Sequence, residues 1–227
     1  MEFGLIERAL LFLDSYHCSD PIFLSRLGRG LRAEHRRAFV IVVGTTELIE
    51  TRAIGRGDYD PSAPGEREAL EGLITELGRR VAASLTEGGV PAVAIRGADR
   101  GLVSTSASSL AVRWDKIESI AATGAVTVFA SLANSGNSIV PVSPGNLVDA
   151  LAMASGWPVL VFPKNANCDG TGAFHWALDE TEASSYYDFE EIRRICSPTP
   201  VLATHPGCLE NAEISGKWLP GRRRWRE

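Results

Sequence analysis

Lysine is scarce in these 227 residues: among 23 basic side chains only Lys116, Lys164 and Lys217 are lysines, and the rest are arginine. Any chemistry that needs an ammonium group has three candidates. Cysteine is sparse as well. Cys18, Cys168, Cys196 and Cys208 are scattered without a C-x-x-C spacing, which argues against a clustered zinc site and for free thiols in a reducing, cytoplasmic compartment. Long apolar runs are missing: stretches such as Ala38–Val43 fall far short of the roughly 20 residues that cross a bilayer. Glu2 and Glu7 precede the short run Ala9–Leu13, whereas an export signal wants a basic start and a longer apolar segment, so neither export nor a membrane partner is expected. The net charge of −5 speaks against a general nucleic-acid surface, and the basic Arg222–Arg226 tail reads as a solvated terminus.

Familiar catalytic signatures are also absent. There is no GxxxxGK[ST] phosphate loop, no GxGxxG between a strand and a helix, and no GxSxG elbow. His17, His35, His175 and His205 have no triad partners at an informative spacing, and the adjacent pair His17-Cys18 reads as chance.

What remains is the pattern of an α/β protein with an ordinary core, 44% hydrophobic and 22% charged. Ala38–Val43, Val90–Ile95, Ala125–Ala130 and Val159–Phe162 are short apolar or β-branched runs, the mark of strands buried on both faces. Helices separate them. Over Glu66–Leu85, Leu70, Leu73, Ile74, Leu77, Val81 and Leu85 keep a three-four spacing that predicts a long amphipathic helix, with Glu71 and Arg80 outward. Shorter helices are expected over Pro21–Leu31, Trp114–Ala122, Asn146–Ala154, Asp188–Ile195 and Pro206–Ile214, and polar loops over Gly55–Gly65, Ser131–Gly145 and Lys164–Gly172. The alternation implies one domain: a three-layer α/β/α sandwich around a mainly parallel sheet. Ligands of such sheets bind at the carboxyl ends of the strands. Three loops of small and polar residues follow strands there, Gly44–Thr46, Ser131–Gly145 and Lys164–Gly172. Each taken alone reads as a turn; together they favour a polyanionic ligand.

Residues Gly124–Ala130 (GAVTVFA), Gly145–Ala152 (GNLVDALA), Val159–Phe162 (VLVF) and Ala166–Gly170 (ANCDG) follow one another in the order strand, helix, strand and polar loop. In that order the chain resembles the amino acid kinase family of aspartate, acetylglutamate and uridylate kinases. Weaker echoes are Gly89–Ile95 with Gly97–Val103, Ser185–Glu191, and Thr204–Pro206. The resemblance implies an amino acid kinase-like fold and an ATP-dependent phosphotransferase acting with Mg2+ on a small carboxylate or phosphate acceptor. It implies Lys164, Asn167, Asp169 and Gly170 at the nucleotide, Gly44, Thr45, Thr46 and Asn146 at the acceptor, Lys164 and Lys217 as the catalytic cations, and a homo-oligomer. The departures fall on the chemistry. Where the family has K-x-G-G-[ST], this chain has Leu11–Ser15 (LFLDS), and Asn146 stands for the helix-opening aspartate. An acidic Asp14 in that loop repels phosphoryl oxygens. The alternative is a catalytically silent member that binds a nucleotide or anion, or serves as an assembly or regulatory subunit.

Overall fold

The computed structural model describes residues 6–32, 38–45, 63–106, 109–164, 166–168, 174–176, 189–195, 200–211, 214 and 216–219. The apolar run before Asp14 is the central strand β1 (Arg8–Leu13), and Ala38–Val43 is β2, in parallel register with it from Arg8 opposite Ala38 to Leu13 opposite Val43. With β3 (Ala92–Arg96), β6 (Val126–Ala130), β9 (Val159–Val161), β12 (Val201–Thr204) and β13 (Gly216–Trp218) they form one sheet in the order β13-β12-β9-β1-β2-β6-β3. All its pairings are parallel except β12 with β13.

Period-two alternation sends neighbouring side chains of each strand to opposite layers. Leu10, Phe12, Val40 and Val42 pack against α4 (Trp114–Ala121), α5 (Pro144–Ser155) and α6 (Phe189–Ile195), through Ile117, Leu147, Leu151, Ile192 and Ile195. Ala9, Leu11, Leu13, Phe39 and Ile41 pack against α2 (Pro21–Leu31) and α3 (Pro64–Glu87), through Phe23, Leu24, Leu27, Leu77, Val81 and Leu85. The result is an α/β/α sandwich around a mostly parallel sheet. Phe23, Leu24 and Leu27 are buried inside this chain, so they are not the surplus apolar surface that would argue for self-association.

The long helix extends slightly beyond its expected ends, with Pro64 in its first turn. Leu70, Ile74, Leu77, Val81 and Leu85 form its buried stripe and Arg80 is exposed, but Leu73 is 38% exposed. Leu73 lies about 100° of helix rotation from Ile74 and about 40° from Leu77, on the side away from Ile74, at the margin of the stripe. Glu71 is half-buried rather than exposed because Arg96 reaches it at 3.1 Å.

The expected polar loop Ser131–Gly145 is instead largely a hairpin. β7 (Leu132–Ser135) and β8 (Ser138–Pro141) join β4 (Val103–Ser106) and β5 (Ser109–Val112) in a second sheet of order β5-β4-β7-β8. Serines and asparagine disguise this hairpin in the sequence; its partners hold it, through the β4–β7 pairing and the Asn134 amide donating to Ala98 O at 2.6 Å. Gly97 permits the approach, since a Cβ there would collide with Leu132 O. Helix α5 begins at Pro144, two residues ahead of Asn146, and Pro206–Ile214 yields only a 3-10 turn, Pro206–Glu210.

Candidate functional site

The chain leaves β1 towards β2 on one side of the sheet and leaves β9 towards β12 on the other. The carboxyl ends of β1 and β9 therefore flank the switch point where open α/β sheets bind ligands. A cavity of about 220 Å3 lies there, lined among others by Tyr16, His17, Arg26, Phe162, Lys164 and His205.

Asp14, directly after β1, lies behind the His17 wall. It is 3% exposed, and both of its carboxylate oxygens face groups of the following helix. Oδ1 accepts the His17 backbone N–H at 2.9 Å, capping α1 (Ser15–Ser19), and Oδ2 lies 3.0 Å from His17 Nδ1. The His17 ring stacks on Phe23 at 4.1 Å between centroids and meets the edge of Phe162. Asp20 closes the next helix in the same way, accepting N–H bonds from Ile22 and Phe23. Opposite, His205 accepts the Gly207 N–H on Nδ1 at 3.1 Å. Burial holds His205 below the usual imidazole range, and the charge of Arg26 and then His17 adds to the effect.

On the far side of β1, Gly44 continues the ladder by donating its N–H to Leu13 O, and Thr45 is buried behind it. One strand further, Ser131 donates its hydroxyl to Val43 O at 3.1 Å. With strands about 4.8 Å apart, Gly44–Thr45 and Lys164 sit on either side of Asp14. Lys164 is exposed in the turn after β9, and Asn167 is exposed on β10 (Ala166–Cys168), which pairs antiparallel with β11 (Phe174–Trp176).

Lys217 is placed elsewhere. Rather than following a flexible glycine, it is half-buried in edge strand β13, directly opposite Ala203, and residues so paired point to one face. That is the face covered by α5 and α6, so Lys217 does not join Lys164 at the cavity. Asn146 is exposed in the first turn of α5 and donates its N–H to the Ser143 hydroxyl. Thr46, Asp169 and Gly170 lie outside the described residues.

The amino end of α5 has its own anion. Glu191, on α6, accepts the Gly145 N–H at 2.7 Å and the Ser143 hydroxyl at 2.5 Å, and its other oxygen is bonded by Arg194. Sequence reading set His17 and His205 aside as histidines without triad partners, and gave no role of their own to Arg26 or Glu191. Only the Asp-Ser and Asp-Pro pairs at Asp14 and Asp20 carried a readable signal, as helix caps.

No protein-family profile and no curated protein matches the sequence. Solved structures do match in three dimensions. An isopentenyl phosphate kinase aligns with a TM-score of 0.60 at 14% identity, covering 91% of this chain and 94% of that one. Aspartate kinase from Synechocystis aligns with a TM-score of 0.57 at 14% identity, over 94% of this chain and 40% of that one. This chain has the amino acid kinase fold. N-acetylglutamate synthase from Neisseria gonorrhoeae also shares it, with a TM-score of 0.56 at 13% identity, over 88% of this chain and 56% of that chain. A synthase among kinases means that the amino acid kinase fold does not by itself name a reaction.

Chemically, the crevice offers two cations, Arg26 and Lys164, an aromatic wall and a neutral imidazole. Among the described residues no group of three or more His, Cys, Asp or Glu is placed to hold a metal ion. No described helix is long and apolar enough to cross a membrane.

Proposed function

We propose that this chain is a binding member of the amino acid kinase fold that takes an anionic ligand of the nucleotide class in the β1/β9 crevice and does not transfer phosphate. One observation carries the reading: the loop after β1 is closed by the chain's own carboxylate. In the family resembled, that loop presents a lysine and glycines to the phosphoryl group in transit. Here Asp14 occupies the α1 backbone donor and His17. Phosphoryl transfer is mostly positioning plus neutralisation of charge on the moving oxygens, and a fixed carboxylate opposes both. Glu191 likewise fills the amino end of α5. Binding needs less. Arg26 and Lys164 grip an anionic group, and the Phe162 and His17 rings line the cavity with apolar surface. At about 220 Å3 the cavity is smaller than the roughly 300 Å3 of a whole small-molecule site. It suits one anionic end of a ligand whose remainder runs along the edge towards Gly44 and Thr45.

A second reading, the ATP-dependent phosphotransferase with Mg2+ and a small carboxylate or phosphate acceptor, is favoured by the placement of Lys164 and the Gly44–Thr45 loop on either side of β1. In it Lys164 neutralises the transferred oxygens, and Lys217 takes no part. Thermal melts with ATP and ADP, with and without magnesium, test binding, and a transfer assay over carboxylate and phosphate acceptors separates the readings. A nucleotide at about a hundred times its Kd raises Tm by roughly 5–10 °C, and Arg26→Ala diminishes the rise. Transfer above background, abolished in Lys164→Ala, establishes the second reading. No stabilisation by any nucleotide refutes both.

A further inference from the structure

The segments that follow β9 and β12 each carry a cysteine where they meet. Cys168 ends β10, and Cys208 lies in the 3-10 turn Pro206–Glu210. The turn that carries Cys208 packs directly against Cys168. Gly207 packs tightly beside them: a Cβ on it would come within 3.3 Å of the Cys168 Cβ. Both cysteines are free, Cys168 half-buried and Cys208 fully buried. Ala166 and Pro206, each two residues ahead of one of these cysteines, are walls of the crevice cavity.

We propose that Cys168 and Cys208 are a redox modification site, a dithiol that a peroxide converts to a reversible intramolecular disulfide joining β10 to the 3-10 turn. The Cys168 thiolate attacks one peroxide oxygen; the O–O bond breaks, hydroxide leaves and is protonated to water, and Cys168 becomes a sulfenic acid. The Cys208 sulfur then attacks the Cys168 sulfur. The S–S bond forms as the S–O bond breaks, and the departing hydroxide takes the Cys208 proton, giving a second water. Two thiols lose two electrons and two protons, and one hydrogen peroxide is reduced to two waters. Accessibility sets the order, because the oxidant reaches Cys168 and not Cys208. Electrostatics agrees: burial, with the Cys168 thiol beside it, pushes the Cys208 thiol up to about 12, so it waits as the resolving partner. The disulfide clamps two walls of the crevice and closes a long loop of chain. This site stands on the packing of the 3-10 turn against Cys168 and on the two free cysteines there, and is independent of the binding reading above.

The test uses a Cys196→Ser background, because Cys196 and Cys208 share one tryptic peptide, Ile195–Lys217. The protein is treated with hydrogen peroxide, alkylated, digested without reduction and examined by mass spectrometry. The expected product is the Cys168–Cys208 cross-linked peptide, two hydrogens lighter than the sum of its parts and released by dithiothreitol. Oxidation should raise Tm by roughly 5–15 °C, the scale set by closing so long a loop. The half-exposed Cys168→Ser variant, which leaves the buried thiol in place, should lose both signals. Cys168 over-oxidised beside an alkylatable Cys208, a bond to Cys18 or to a second chain, or an unchanged Tm would each overturn the proposal.

Discussion

Replacing Glu191 by alanine removes the carboxylate that closes the amino end of α5. Two donors are orphaned, the Gly145 N–H at 2.7 Å and the Ser143 hydroxyl at 2.5 Å, and Arg194 loses its acceptor. Glu191 is only 9% exposed, so water replaces these bonds poorly. Hydrogen bonds to a charged group contribute about 1.5–3 kcal/mol each, and a negative charge at a helix amino end adds about 0.3–1 kcal/mol. Arg194 is half-exposed and recovers hydration, and the Ser143 hydroxyl can turn, which puts the net loss at about 2–4 kcal/mol. For a chain of this length that lowers Tm by roughly 4–15 °C. Glu191→Gln keeps an acceptor of the same shape and loses only the charge, so it should fall by about 2–4 °C. Acetate, compared with chloride at equal ionic strength, should restore part of the alanine variant's stability and leave the parent unchanged, because a free carboxylate can refill the vacated position. The assays are urea and thermal denaturation of the three proteins. A melt of Glu191→Ala within about 1 °C of the parent refutes the idea that this end of the fold is satisfied by an internal anion.

Two glycine substitutions should move stability in opposite directions. Gly30→Ala on α2 drives a Cβ into Leu209 and the Pro206 carbonyl and should cost about 1–3 kcal/mol despite the better helix propensity of alanine, whereas Gly72→Ala on the open face of α3, where a Cβ meets nothing within 4 Å, should gain about 0.5–1 kcal/mol; urea titration of both variants checks the contrast. His205 should make the protein acid-sensitive. Its folded pKa lies below the ordinary imidazole value of about 6.5, through burial first and then Arg26 and His17, so below that pH the unfolded chain binds a proton that the folded one refuses. The contribution is intact above the unfolded pKa and is lost as pH falls towards the folded pKa, and a stability–pH profile should flatten in this window for His205→Gln.

The sheet was legible because strands buried on both faces must be continuously apolar, and Ala38–Val43, Ala125–Ala130 and Val159–Phe162 can be little else. The long helix was legible for the same reason at a period of 3.6, and the edge at which the loops gather follows from parallel strands alone. Leu73 escaped because it sits at the margin of its stripe, and Leu132–Pro141 because a hairpin whose side chains are mostly half-buried needs no apolar signature once a neighbouring strand supplies its hydrogen bonds. Lys217 was misjudged because a strand that pairs only at an edge leaves little trace in three residues.

Local composition and period thus determined the three-layer α/β architecture, the edge of the sheet at which the loops gather, and the absence of a lysine from the loop after β1. Tertiary structure alone decided which groups meet at that edge. Asp14 turns inward on His17, Glu191 arrives from a helix 46 residues beyond Gly145 to fill the start of α5, and Cys168 comes to rest against Cys208. Such pairings depend on the order of strands in the sheet and on side-chain reach, and neither is written into the neighbourhood of any one of these residues.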